Sequence, residues 1–256
     1  MSNGQGRRPH LAAMRFLLAA LGLALLPAVP AAAETVTYEV VVEEWTETRA
    51  SRFVSPALAQ AERSALAAYG PFRVIDERTA ALIGVTDEAT PAAFRAMLRD
   101  HPGLATLAFL ECPGTYDDRA NLALGRMIRA AGLAAWVPAG GSVRSGAVEL
   151  MLAGASLRIE DGAEFAVHAW EDEDGYEAGD YAADSPENRK YLAYYSEMGM
   201  SAEAAAAFYA MTNSVPFEDA LWLGGAEMRR WIDGADGGPR LAYLDLGHLD
   251  LGPALN

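Results

Sequence analysis

The stretch Gly141-Ser142-Val143-Arg144-Ser145-Gly146-Ala147 runs into an apolar segment, Val148 to Ala153, that only Glu149 interrupts and Gly154 closes. A serine directly ahead of such a segment predicts a helix starting at Ser145. On its N-terminal side, Ala134 to Val137 reads as a short strand, followed by Pro138 and a Gly-Gly turn. Before that, Asp117 to Ala131 has helical periodicity and stops at Gly132. Earlier still, Leu104 to Leu110 is an apolar run of strand length that leads into Cys112-Pro113-Gly114. Downstream, Leu157 to Ile159 and Phe165 to Ala169 read as strands, the second carrying His168 near its end. Strand and helix alternate across this centre. That predicts an α/β fold of stacked βα units around a largely parallel sheet, with a C-terminal helical region.

The flanks extend the pattern. Thr35 to Trp45 is rich in Val and predicts a strand. Ser55 and Pro56 look like an N-cap and first helical residue, with Gly70 closing that helix. Thr79 to Gly84 predicts a short strand, and Thr90-Pro91 opens a helix to about Asp100. After His168 comes an acidic, Gly-containing loop from Glu171 to Glu187. Helices are then predicted at about Asn188 to Met198 and Ser201 to Met211, and Pro216 to Asp233 reads as a C-terminal helical piece. There is no internal repeat and no Pro-, Gly- or Ser-rich linker, so residues 34–256 read as one domain.

The first 33 residues have the layout of a secretory signal. Arg7, Arg8 and Arg15 are basic, Phe16 to Ala28 is almost wholly apolar, and Ala31-Ala32-Ala33 offers a small-residue cleavage site before Glu34. The apolar stretch is short for a membrane span and is broken by Pro27 and Pro30, which favours cleavage over anchoring. The expected location is therefore periplasmic or secreted. Cleavage removes three arginines and no acid, so the net charge of −15 becomes −18. Such a balance argues against nucleic acid or an anionic membrane surface as partner. Cys112 is the only cysteine, so no intramolecular disulfide can form. It reads as a small buried residue at a strand end rather than a thiol nucleophile.

Serine needs a base to become a nucleophile, and histidine is the usual one because it titrates near neutrality. After removal of the leader three histidines remain: His101, His168 and His248. Of these, His168 alone ends an apolar strand shortly after the Ser145 helix. A helix start at Ser145 would also place the Gly146 N–H where an oxyanion forms, and the Gly114 N–H at the end of the neighbouring strand would be a second donor. Ser145 alone would read as a helix cap, and His168 alone as a hydrogen-bonded core residue. Their joint pattern points to acyl transfer. Asp172-Glu173-Asp174-Gly175 opens like a calcium loop but lacks the closing Glu, so it reads as solvated, and no metal or cofactor is expected. Tyr176 and Tyr181 in that loop suit a lid over the site, although a plain surface loop accounts for them equally.

From Ala81 to Trp170 these residues resemble the Clp protease/crotonase superfamily, and within it the Clp-type serine peptidases and their exported relatives. The pieces that carry the resemblance are Glu111-Cys112-Pro113-Gly114, Ser145-Gly146-Ala147, Ala153-Gly154 and Val167-His168, with Tyr194-Tyr195-Ser196-Glu197-Met198-Gly199 fitting the exported relatives. The resemblance implies stacked ββα units, Ser145 as nucleophile, His168 as base, and Gly114 and Gly146 as oxyanion donors. It also implies a third catalytic acid before the C-terminal piece. Two ways of counting back place it at Asp219 or at Glu218, and Asp219 is the preferred assignment. Two residues depart from the family pattern: Thr115 stands where a second glycine follows Pro-Gly, and Glu149 stands where an apolar residue is usual. The implied function is an exported serine hydrolase acting on peptide, ester or amide bonds and able to form a homo-oligomer, while export to a compartment without ATP argues against the ATPase partner that Clp peptidases use. The rivals are a non-catalytic binding or assembly protein on the same fold and a crotonase-type enzyme acting on acyl thioesters.

Overall fold

The computed structural model describes residues 56–233, all within one compact unit. The leader, the strand read at 35–45 and His248 lie outside the described residues.

The chain begins with α1 (Pro56–Ser64) and turns directly into a hairpin, β1 (Ala67–Tyr69) and β2 (Phe72–Val74). The helix expected to run to Gly70 is thus cut short. Gly70 lies instead in the two-residue turn between the paired residues Tyr69 and Phe72, at φ 54. Glycine takes that positive φ without steric cost, and Pro71 beside it cannot continue a helix. Next come β3 (Thr79–Ile83), α2 (Thr90–Asp100) and β4 (Thr106–Cys112). Helix α3 (Asp118–Ala131) starts where Asp117 accepts a hydrogen bond from the Ala120 N–H, and it ends at Gly132 with φ 69. Asp117, read from the sequence as the first helical residue, is the cap, and Gly132 is the stop that the sequence predicts. After β5 (Ala134–Val137), the Gly-Gly turn leads into a strand that sequence reasoning missed, β6 (Ser142–Arg144).

Helix α4 spans Ala147–Leu152, and all six of its residues are buried. It starts two residues later than expected, because Ser145 is not helical. Strands β7 (Leu157–Ile159) and β8 (Glu164–Val167) follow, then α5 (Pro186–Glu197) and α6 (Ala202–Thr212). The C-terminal piece also departs from the helical expectation. Pro216 and Asp219 close a turn, Leu221–Gly224 forms β9 on the edge of the sheet, and only Gly225–Asp233 is helical, α7. The run Leu221-Trp222-Leu223 is a strand-length segment that pairs antiparallel with β8, and that tertiary pairing overrides helical propensity.

The sheet forks at β4. Residues Thr106–Ala108 pair with β5, which continues to β7; Glu111 and Cys112 pair with β6, which continues to β8 and β9. On its other side β4 pairs with β3. The pairings of β3 through β8 are parallel, as the alternation of strands and helices predicts. Phe94 from α2, Leu124 and Ile128 from α3, and Val148 and Met151 from α4 are fully buried in the same core as Phe109 and Phe165. Each such side chain contributes roughly 1.5–3 kcal/mol by leaving water. This core holds the ends of β4, β6 and β8 side by side.

Candidate active site

Those three parallel strand ends carry the residues singled out from the sequence. β4 runs on through Pro113 to Gly114, β6 is followed by Ser145, and β8 by His168. Because β6 lies between β4 (Cys112 opposite Val143) and β8 (Arg144 opposite Ala166), all three arrive at one edge. The Ser145 N–H donates to the Ala166 carbonyl at 2.8 Å, which ties the serine to the histidine strand. On the other side, a Cβ built on Gly114 would lie 3.0 Å from Ser145 Cβ and 3.4 Å from its Oγ. The Gly114 backbone therefore faces the serine, and a side chain there would crowd it.

Among the described residues Ser145 is the only non-glycine with positive φ, at 48°. A residue with a Cβ adopts this conformation at a cost of about 1–2 kcal/mol. A strained serine on a strand–turn–helix bend presents its hydroxyl beyond the sheet end. The side chain caps nothing; the Ser145 carbonyl, not its Oγ, meets the Val148 N–H. The helix start expected at Ser145 is thus replaced by a strained bend. With only six residues in α4, local N–H groups rather than a helix dipole supply any positive potential here. Among the described residues, neither the Gly114 nor the Gly146 N–H has an acceptor, although Gly114 is buried. Unpaired buried N–H groups are rare, and a pair beside a serine Oγ suits a developing oxyanion.

His168 is half-buried, and its Nδ1 lies 2.8 Å from the Ala169 carbonyl. A carbonyl only accepts, so Nδ1 carries a proton, and in the neutral ring Nε2 is then the acceptor. The edge of Phe217 stacks on the ring, with centroids 4.9 Å apart. No hydrogen bond joins Ser145 Oγ to the imidazole here, and such bonds are often long before substrate binds. The third position differs from expectation. Asp219 and Glu218 are exposed, lie in the turn before β9 rather than at a helix start, and make no hydrogen bond to His168. A backbone carbonyl occupies the place where a carboxylate was expected.

Ser145, Gly146 and His168 line one open crevice together with Asp118, Glu149, Trp170, Tyr191, Tyr195 and Tyr209. Glu149, which departs from the family pattern, is 8% exposed, and its Oε1 accepts from the Tyr195 hydroxyl at 2.7 Å. Burial pushes its carboxyl up from 4.5 to about 7, partly offset by that hydrogen bond. The Tyr194 hydroxyl reaches the Glu149 carbonyl at 2.7 Å. It passes α3 at Gly125, where any side chain would collide with the Tyr194 ring. The Tyr194-Tyr195 pair thus buttresses the helix behind Ser145. Tyr191 donates to Asp118, and burial raises the tyrosine further, so it stays a donor. Cys112 is fully buried, which pushes its thiol well up and leaves it inert, as its sequence context suggests. Among the described residues no group of three or more His, Cys, Asp or Glu is arranged to hold a metal ion.

Thr115, the other departure, turns its hydroxyl toward the Thr86 and Asp117 backbone and its methyl toward Gly146. Two buried polar residues nearby were missed from sequence: Thr86, before α2, and Asn121, on α3. The signal for Asn121 was an amide on the buried face of α3, beside Leu122 and Leu124.

No protein-family model matches the chain, and no curated protein matches it either. Among solved structures it is similar to a mutant of ClpP1 from Listeria monocytogenes, at 16% identity, TM-score 0.44, covering 61% of this chain and 88% of that one. It is also similar to the 1510-N membrane protease specific for a stomatin homolog from Pyrococcus horikoshii, at 13% identity, TM-score 0.39, covering 59% and 67%. Identities and TM-scores are low, so the chemistry of the site stands on its own geometry.

Proposed function

We propose that this chain is a serine hydrolase, of peptidase type, that works outside the cytoplasm after cleavage following Ala33. The observation that supports it most is the meeting, at one sheet edge, of a strained serine and a histidine whose Nδ1 is held by the Ala169 carbonyl and whose Nε2 has no protein partner among the described residues. In this reading Ser145 Oγ attacks the substrate carbonyl while His168 Nε2 takes its proton. The Gly114 and Gly146 N–H groups receive the oxyanion. The leaving amine or alcohol departs with the proton from His168, and water then cleaves the acyl-serine by the same route. The Ala169 carbonyl orients the ring in the role first given to Asp219. The motif resemblance around Gly114, Ser145 and His168 supports the same assignment, along with a peptide substrate and a homo-oligomeric state.

An acyl-CoA substrate fits poorly, since the crevice is lined by Asp118 and Glu149 and, among the described residues, by no lysine or arginine. A non-catalytic binding role gains support from one feature, the carbonyl in place of a carboxylate on His168. Hydrolysis of a panel of p-nitrophenyl esters and quenched fluorescent peptides by residues 34–256 separates the two. The hydrolase reading expects turnover that Ser145→Ala and His168→Ala both abolish. Turnover that survives both variants would exclude this site.

A further inference from the structure

We propose that Thr86 and Asn121 form a buried clasp that holds the two oxyanion-donating glycines at their working separation. The proposal rests on the hydrolase reading and adds two positioning residues to it. Both side chains are almost wholly enclosed, at 1% and 2% exposure. Thr86 belongs to the loop before α2, and Asn121 to the first turn and a half of α3, so neither glycine loop carries them.

The hydrogen bonds have one consistent direction. The Gly146 carbonyl can only accept, so the Asn121 atom 2.6 Å from it must be the amide nitrogen. That places Asn121 Oδ1 toward the Thr86 hydroxyl, 3.0 Å away, whose single proton points to it in preference to the Gly114 carbonyl at 3.3 Å. Thr86 then grips the other loop through its backbone: its N–H donates to the Gly114 carbonyl at 3.0 Å, and its carbonyl accepts from the Tyr116 N–H at 2.9 Å. A continuous chain therefore runs from Gly114 through Thr86 and Asn121 to Gly146. The loops are also in contact, for a Cβ on Gly146 would come within 2.6 Å of Thr115 Cγ2 and 3.1 Å of Asn121 Nδ2. Contact sets how close the loops approach, and the hydrogen-bonded chain sets how they are turned.

Packing alone does not call for these residues. Val and Leu would fill the same space without the desolvation cost of a buried hydroxyl and amide. A fully bonded polar chain gains a fixed geometry instead. Oxyanion donors depend on such geometry, because their contribution appears only when the N–H groups aim at the transition-state oxygen rather than the ground-state carbonyl.

The test uses residues 34–256 with an ester that the wild-type protein hydrolyses and a peptide boronate as transition-state analogue. Asn121→Asp, assayed at alkaline pH so that the carboxyl is ionised, keeps the shape but cannot donate to Gly146, and Thr86→Val keeps the shape but loses the hydroxyl. Both are expected to lower kcat by roughly 10- to 100-fold, less than the loss of a whole donor, with KM within about two-fold. Boronate Ki should rise in step with the fall in kcat/KM. Thr86→Ser should restore kcat, and the double variant should be no worse than the weaker single one, because the two act as a unit. Unchanged kcat in Asn121→Asp and Thr86→Val, with wild-type turnover intact, would overturn the clasp and leave the hydrolase reading standing. Losses that fall on KM, or that track Tm in all variants, would overturn the clasp in the same way. A wild-type protein that neither turns over esters nor binds boronate would overturn both.

Discussion

Glu149→Gln should change the pH dependence of stability in a calculable way. Glu149 sits in the middle of α4 with 8% of its surface exposed, and burial raises its carboxyl from 4.5 to about 7. One pKa unit corresponds to about 1.4 kcal/mol, so a rise of roughly 2.5 units means that ionising Glu149 costs the folded state about 3 kcal/mol. The unfolded carboxyl titrates near 4.5 and the folded one near 7. Between these values the native protein holds more protons, so wild-type stability falls as pH rises. The penalty is absent below about 4.5 and complete above about 7. Glutamine keeps an acceptor for the Tyr195 hydroxyl and never ionises. The assay is urea denaturation of both proteins from about pH 4.5 to about pH 8, with stability taken from midpoint and slope. All other carboxylates are shared and largely cancel in the difference. The stability of Glu149→Gln relative to wild type should therefore climb by about 3 kcal/mol across that range. A difference that stays flat within about 0.5 kcal/mol would show that the carboxyl is hydrated, and the description of the crevice would be wrong.

Three further outcomes follow from the site. Ser145→Gly should be more stable than Ser145→Ala by about 1 kcal/mol in thermal denaturation, because only glycine relaxes at φ 48; equal stabilities would remove the strain argument. Gly146→Ala should lose activity and about 1–3 kcal/mol of stability, since its Cβ would meet the Thr115 methyl, and Thr115→Ser should recover much of both; a double variant no better than the single one would mean that the contact is not the cause. Asp219→Asn and Glu218→Gln should each leave ester hydrolysis within about two-fold, because His168 is oriented by the Ala169 carbonyl. A loss near the roughly 10⁴-fold of a working triad would return that role to the carboxylate.

The parts of the fold that sequence reasoning reached are those where local signals agree with tertiary context. Asp117 and Gly132 bracket α3 with a true cap and a true left-handed stop, and the apolar runs of β4 and β8 are core strands. Failures came where pairing across the sheet overrides local propensity. Leu221–Gly224 is a strand because β8 offers it an edge, and β6 is three residues long, too short for alternation to register. At the site, Ser145, His168, Gly114 and Gly146 were legible because each sits at an element end marked by Gly, Pro or an apolar run. The bend at Ser145 was not, since a positive φ at a non-glycine residue leaves no trace in composition. Counting put the third residue at Asp219, but counting carries no information on which group faces the Nδ1 of His168, where the Ala169 carbonyl lies. Thr86 and Asn121 escaped notice because their partners are backbone carbonyls and each other, brought together from points 35 residues apart.

The central claim is that Ser145 is a nucleophile activated by His168. Incubating residues 34–256 with a fluorophosphonate probe, then reading intact mass and mapping the labelled peptide, tests it directly. The account predicts a single adduct on Ser145, absent in Ser145→Ala and slowed by several orders of magnitude in His168→Ala. An unlabelled wild-type protein that is shown to be folded, or an adduct on any other residue, would contradict it.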